Sequence, residues 1–415
     1  MDYFTRKNGY VFAEDVKVTD LAKKYGTPLY VYSKSSLEEN FKSFDSSFGE
    51  TKHLVCYAVK ANSNISILNL FARLGAGFDI VSGGELARVI KAGGDTTKVV
   101  YSGVAKSREE IIFALKSNIK CFNVESEAEM HHIDEIAQEL GVKARVSIRV
   151  NPDVDAGTHP YISTGLKKNK FGVPIERAYN LYVEASKMNG IEIVGIDCHI
   201  GSQLTTLDPF RASLDRLLIL IDRLEKAGIT LSHIDVGGGL GVVYNDETPP
   251  SIAEYLQAIK EKLVNKNLEI LCEPGRSMVA NAGILVAKCE YIKEGEVCNF
   301  CIVDTAMNDM IRPSLYSAWM KLEEADTNLS REVKLYDVVG PICETGDFLG
   351  KERKLGVARG DYLVMRGAGA YGYAMSSNYN SRPKAAEIMV DGSKDNVISR
   401  RESFEDLYRN ETLLK

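Results

Sequence analysis

HLVCYAVKANSNISILNLFARLGAGFDIVS, residues 53–82, runs from the β-branched stretch HLVCYAVKA (53–61), through an amphipathic helical segment, to a second short strand, FDIVS (78–82). One such βαβ unit predicts parallel pairing, because the crossover helix returns the chain to begin the next strand in the same direction. Reading outward, the unit recurs. Strands are expected at KVVYSGV (98–104), CFNVES (121–126), ARVSIRVN (144–151), IVGIDCHI (193–200), HIDVGGG (233–239) and EILCEPGR (269–276), which with the first two makes eight. Ser107 with Glu110 and Ser126 with Glu129 read as capping boxes, Asp208 and Pro209 as an N-cap and first helical residue, and Gly228 as the stop of that long helix. Eight strands alternating with helices favour a TIM-type (β/α)8 barrel over an open sheet, whose strand number is usually smaller.

Past Gly275 the rhythm changes. ILVAKCEYIK (284–293), FCIVDTAM (300–307), VKLYDVVG (333–340) and DYLVMRG (361–367) are short strands without regular helices between them, which predicts a mainly-β domain. YVFAEDV (10–16) precedes a short helical stretch, TDLAKKYG, outside the barrel count and is expected to join that domain. The expected division is a barrel over residues 28–277 and a β domain over 1–27 and 278–415, closed by a surface helix in RRESFEDLYRNETLLK (400–415). A chain of 415 residues exceeds the size at which one core stops growing, so two domains are consistent with length.

Composition narrows the function classes. Hydrophobic residues make up 45% and charged residues 26%, ordinary for a globular protein. A net charge of −6 and a pI near 5.7 provide no basic field for nucleic acid or anionic lipid. The start, MDYFTRKNGY, lacks a signal-peptide core and no window reaches the length of a membrane span, so a cytoplasmic location is expected. Among eight cysteines only Cys298 and Cys301 form a C-x-x-C pair, with no second pair; buried reduced thiols are expected, and no metal.

In TIM barrels the working residues stand at the C-terminal ends of the strands. Here those ends read Lys60, Ser82, Gly103, Glu125, Arg149, His199, Gly237 to Gly239, and Glu273 with Arg276. Lys60 places one amine at the barrel mouth, where desolvation favours the neutral nucleophile and Schiff-base chemistry; a lone lysine also snorkels to solvent. GGGLG lacks the third glycine of a dinucleotide fingerprint, since Val242 stands three residues after Gly239, but Gly238 and Gly239 suit a nest of N–H donors for one phosphate, or a tight structural turn. Glu273 needs a cation: a pyridinium nitrogen, which would make the ring an electron sink, or Arg276 three residues on. His199, followed by Gly201 and Ser202, brings an imidazole and a hydroxyl to the mouth, whereas His53, His131, His132 and His233 read as structural. Outside the barrel, Arg312 and Tyr316 in RPSLY, Cys343 and Glu344 in CETGDFLG, and Tyr371 in GAGAYGYAMSSNYNSRP are candidate substrate contacts.

YAVKAN, FDIVSGGEL, TGLKKNKFG, HIGSQ, DVGGGLG, EPGR, RPSLY, CETGDF and GAYGYAMSSNYNSRP occur in that order between about residues 8 and 400, and together they resemble the fold-type III pyridoxal-phosphate decarboxylases, most closely those acting on diaminopimelate. The resemblance implies an alanine-racemase-like barrel with a β domain, and a head-to-tail homodimer with shared active sites. It implies pyridoxal 5'-phosphate held by Lys60, with His199 stacked on the ring and Glu273 at the pyridine nitrogen. Ser202, Gly238, Gly239, Gly275, Arg276 and Tyr371 are implied to hold phosphate or cofactor. Arg276, Arg312 and Tyr316 are implied to grip the distal carboxylate of the substrate, with Tyr371 beside it. Glu344 of the same motif as Cys343 is implied to take the distal ammonium across the dimer, and Cys343 to protonate the carbanion. Thr345 departs from the serine common in that motif but keeps the hydroxyl. The implied reaction turns meso-2,6-diaminopimelate into L-lysine and carbon dioxide. The runner-up is decarboxylation of ornithine, lysine, arginine or carboxynorspermidine on the same fold; a non-catalytic relative and an amino-acid racemase are less favoured because Lys60, Cys343 and CETGDF are all present.

Overall fold

The computed structural model describes residues 2–155, 157–159, 161–162, 164–166 and 169–415, so Lys167 and Lys168 of the TGLKKNKFG stretch lie outside the described residues. The chain divides into two compact units: Asn40–Val242 with Thr248–Met278, and Met1–Glu39 with Val243–Glu247 and Val279–Lys415.

The first unit is the barrel. Its strands are β1 (His53–Ala58), β2 (Gly77–Ile80), β3 (Val99–Tyr101), β4 (Cys121–Val124), β5 (Ala144–Asn151), β6 (Ile191–Asp197), β7 (His233–Asp235) and β8 (Glu269–Cys272). Each pairs in parallel with the next, and β8 closes on β1 through Leu271 opposite Leu54. All eight expected strands form, but most end earlier than their sequence runs: Val59–Ala61 is already a 3₁₀ turn, and HIDVGGG is strand only over His233–Asp235. The remaining residues of each run leave the ladder and become the mouth.

Alternation along the strands sorts the interior. Leu54, Cys56, Val100, Cys121 and Leu271 pack together as an apolar cluster. Two residues further along the same faces stand Ser102, Asn123 and Glu273, so the lining turns polar toward the C-terminal ends. His233 belongs to the structural set: its ring lies where a side chain on Gly195 would be, 2.1 Å from the position of a Cβ, and burial lowers its pKa to about 4. The helices cover the outside with amphipathic faces, as in Ile65–Arg73, where Ile67, Leu68, Leu70 and Phe71 are buried.

Cap chemistry follows the sequence with two differences. Ser107 and Glu110 form the full reciprocal box, and Ser126 accepts from the Glu129 N–H, but the Glu129 carboxylate is drawn to Lys106 and to the Glu125 N–H instead of closing the second box. The long helix starts on Asp208 itself, with Leu207 as N-cap, and runs to Lys226, so Pro209 sits one residue further in than expected.

In the second unit a nine-stranded sheet runs in the order Phe348–Gly356, Val333–Val339, Phe300–Val303, Gly283–Lys293, Leu29–Ser33, Ala386–Asp391, Lys394–Ser399, with Tyr362–Met365 and Leu322–Glu324 branching from Gly283–Lys293. The edge expected at residue 28 moves. Leu29–Ser33 is an inner strand of this sheet, buried at every position, because both of its faces and both of its edges are covered. Tyr10–Ala13 does not extend that sheet; it pairs with Phe4–Lys7 and Val16–Lys17 in a small meander, whose Val11 packs in the core with Val31, Val286 and Ile388. The C-terminal helix spans only Phe404–Tyr408 behind a Ser403–Asp406 capping box, too short to propagate without packing.

Candidate active site

The mouth of the barrel holds a cavity of about 410 Å³ lined by Lys60, Ser102, Arg149, His199 and Glu273 together with Gly103 to Ala105 and Phe171. Lys60 rises from the 3₁₀ turn after β1, and its Nζ donates to Asp79 Oδ2 at 2.5 Å. Asp79 is fully buried, and its other oxygen has no hydrogen-bond partner among the described residues. The amine is thus held at one end by a carboxylate while its side chain stays partly open to the cavity.

Glu273 lies on the cavity floor just past β8. Its Oε1 accepts from Asn123 Nδ2 at 3.3 Å and Ser102 Oγ at 3.5 Å. Burial, with Asp235, Asp79 and Asp197 nearby, pushes its carboxyl well above the usual range. An incoming cationic N–H at that carboxyl would reverse the effect. Arg149 from the end of β5 donates to Glu125 at 2.8 Å and lies over the Phe171 ring at 4.8 Å. Glu125 in turn receives the Gly103 and Gly172 N–H groups, so it pins two loops of the mouth.

His199 is a neutral ring here. Burial, then Arg149 and Lys60, lowers its pKa well below the usual value, and its Nδ1 accepts the Gly238 N–H at 3.1 Å, which leaves the other nitrogen to carry the proton. The glycine run is tight because nothing larger fits: a Cβ on Gly238 would stand 2.2 Å from the Glu273 carbonyl, and one on Gly239, at φ +110°, 2.5 Å from the Gly201 carbonyl. Ser202 follows Gly201, and Arg276 donates to its Oγ from both Nε and Nη2 at 3.3 and 3.1 Å, so Arg276 turns to Ser202 and Glu273 keeps its own partners. Gln203 clamps the two loops with a pair of hydrogen bonds to the Val242 backbone. Gly275 opens the short helix Arg276–Val279 by accepting the Met278 N–H.

This set fits pyridoxal phosphate. A lysine amine faces a flat cavity, a neutral imidazole borders it, and a buried carboxyl awaits a cationic nitrogen. The fit of the other end is the cradle that any Cβ would fill, together with Ser202 and Arg276 for a phosphate.

The other candidates belong to the second unit. Arg312 and Tyr316 stand one turn apart on the helix Arg312–Tyr316; Arg312 is buried, donates to Met320 Sδ at 3.2 Å, and lies over Tyr244 at 4.4 Å. Tyr371 takes φ +55° in a glycine-rich turn, a conformation that side chains seldom adopt. Cys343, Glu344 and Thr345 are exposed on a loop anchored by buried Asp347, which accepts from the Met307 and Ile342 N–H groups, and Glu344 accepts from Tyr379 at 2.6 Å. Two residues of the mouth carried no role in the sequence reading: Asp79, hidden inside FDIVS, and Asp235, inside HIDVG. A charged residue at an inward position of a short strand was the available signal for both.

Residues 34–280 match the family model "Pyridoxal-dependent decarboxylase, pyridoxal binding domain". Over all 415 residues the chain is 58% identical to diaminopimelate decarboxylase of Haemophilus influenzae, covering 100% of both chains. The chain belongs to the diaminopimelate decarboxylase family. Solved members of that family superpose on it closely. The Helicobacter pylori enzyme complexed with L-lysine is 44% identical at a TM-score of 0.92, covering 95% of this chain and 98% of that one. The M. jannaschii enzyme in co-complex with L-lysine is 37% identical at 0.95, covering 100% and 98%. As in other pyridoxal-phosphate-dependent carboxy-lyases, the barrel and the mainly-β sheet are the two parts of the fold.

Proposed function

We propose that Lys60, His199 and Glu273, brought to one cavity, carry the reaction of the diaminopimelate decarboxylases: meso-2,6-diaminopimelate is converted to L-lysine and carbon dioxide, the last step of lysine biosynthesis, with pyridoxal 5'-phosphate as cofactor. The single observation behind the residue roles is the meeting of an amine, a neutral imidazole and a buried carboxyl at one barrel mouth beside a glycine cradle. When bound, the cofactor supplies a ring that accepts the electron pair released as carbon dioxide departs.

Lys60 would hold the cofactor through its amine, and Asp79 keeps that amine aimed at the cavity. His199 would stack on the cofactor ring, and its neutral state would keep a second cation away from a pyridinium. Glu273 would pair with the pyridine nitrogen and keep it protonated. Gly238, Gly239, Gly275, Ser202, Arg276 and Tyr371 bind phosphate and cofactor.

Substrate choice rests on the second unit and on Arg276. Arg276, Arg312 and Tyr316 grip the distal carboxylate, which suits a bidentate guanidinium, whereas ornithine or lysine would leave those charges unpaired. Tyr371 borders the same group. Glu344 takes the distal ammonium and Cys343 protonates the carbon, both reaching a site in a second copy of the chain. The exposed Cys343–Thr345 loop supports this, since it presents those side chains outward. We accordingly assign a homodimer, the division into a barrel and a β domain that contributes across the interface, and a cytoplasmic location; among the described residues no helix is long and apolar enough to cross a membrane.

The test is borohydride reduction of the cofactor-loaded protein, peptide mapping of the modified lysine, and carbon dioxide release from meso-diaminopimelate compared with ornithine and lysine. Label on Lys60 with release from diaminopimelate alone supports the assignment. Equal rates on all three substrates would remove the arginine clamp from it.

A further inference from the structure

Behind Glu273, β6 and β7 bring two more carboxylates inward that the roles above leave unused. Side-chain oxygens of Asp197, Asp235 and Glu273 lie within 4.8 Å of one another, and all three residues are buried. Asp235 reaches two parts of the site at once. Its Oδ1 accepts the Gly237 N–H at 2.9 Å, at the head of the glycine cradle, while its Oδ2 is buried without a hydrogen-bond partner among the described residues.

The surrounding charges do not balance. Asp79, Glu125, Asp197, Asp235 and Glu273 face two cations, Lys60 and Arg149. Lys60 is taken by Asp79 at 2.5 Å, and Arg149 by Glu125 at 2.8 Å with Asp197 next at 3.9 Å. Once a pyridinium is assigned to Glu273, Asp235 makes no ion pair among the described residues. A buried carboxylate in that condition takes up a proton, and the guanidinium 3.9 Å from Asp197 disfavours a divalent metal as the alternative.

We propose that Asp235 is a positioning residue for the reaction, held as a neutral acid whose proton bridges to Glu273 and so ties the carboxylate at the pyridine nitrogen to the glycine cradle at the phosphate. The inference rests on the reading of Glu273 given above. Burial and Asp79 lift the Asp235 carboxyl to about 7, and its side-chain oxygens lie within 4.8 Å of those of Glu273. The other groups around it do not compete for that proton near neutral pH: the thiols of Cys56, Cys121, Cys198 and Cys272 and the phenol of Tyr255 are pushed up by burial, and His199 and His233 are pushed down. Asp197 and Glu273, both also raised, are the rivals, and Glu273 leaves the contest once it meets a pyridinium.

Asparagine mimics the neutral acid, since its amide can donate to Glu273 and accept from Gly237. Infrared spectra of the cofactor-loaded enzyme at pH 6 are the measurement. The wild type should show the carbonyl stretch of a protonated carboxylic acid, absent from Asp235→Asn and kept in Asp197→Asn. Asp235→Asn should hold pyridoxal phosphate within about threefold of wild type, while Asp235→Ala weakens it about tenfold or more. A purely structural side chain would leave the acid stretch unchanged in Asp235→Asn. Persistence of that stretch in Asp235→Asn, or its loss in Asp197→Asn, overturns the proposal when Glu273→Gln is impaired; a Glu273→Gln enzyme with wild-type cofactor spectrum and rate would instead remove the reading of Glu273 beneath it.

Discussion

Lys60 was readable because it is a single amine ending an apolar strand, whereas its partner Asp79 was not. Nothing near Asp79 in sequence says what it faces; the parallel register that sets Ala58 opposite Asp79 brings it to a residue 19 positions earlier. Replacing Lys60 with alanine should abolish the borohydride-stable label and lower the rate of carbon dioxide release by roughly 10³-fold or more, the scale reached when a covalent group is removed. His199 has a quieter role. If it acts as a neutral stacking ring, His199→Ala should cost about 1 kcal/mol of cofactor affinity, read by titration with pyridoxal phosphate. Because its pKa is depressed, the imidazole stays neutral as pH falls through the usual histidine range, so the pH–rate profile should carry no limb there that disappears in this variant.

The loops after β6, β7 and β8 are the elements that make the cradle, and their backbones approach too closely for side chains. Gly238→Ala would set a methyl 2.2 Å from the Glu273 carbonyl, so the loop must shift; a destabilisation of about 1–3 kcal/mol is expected, with weaker cofactor binding, measured by thermal denaturation with and without pyridoxal phosphate. The need for glycines was visible in the run GGG, but not whether the reason was a phosphate or a turn, since both require the same backbone. The carboxylates beneath set a pH dependence. Asp197, Asp235 and Glu273 all have folded-state pKa values raised above their unfolded ones, so between about pH 4 and 7 the folded chain binds more protons and loses stability as pH rises. The cofactor-free chain should therefore melt at a higher temperature near pH 5 than near pH 8, and Asp235→Asn should flatten that slope; an unchanged slope would count against a raised Asp235.

At the scale of the whole molecule, the residues assigned to one reaction fall in two compact units, with Cys343 and Glu344 on an exposed loop of the second. If that loop serves a neighbouring copy, mixing Lys60→Ala and Cys343→Ala proteins, each nearly inactive, should restore part of the activity, because one site in the mixed dimer has both residues intact; no recovery after subunit exchange would place the loop elsewhere. Strand and helix periodicity, the capping pairs and the polar ends of HLVCYAVKA or IVGIDCHI specify eight βα units and the side chains at their mouths, since those signals depend only on neighbours along the chain. Leu29–Ser33 went to the β sheet instead of the barrel for a reason periodicity does not contain: an apolar run of five fits either core, and the available partner strands choose. Likewise, which inward carboxylates share a proton and which find a cation is set by barrel closure, because β2, β6, β7 and β8 meet only once the eighth strand pairs with the first.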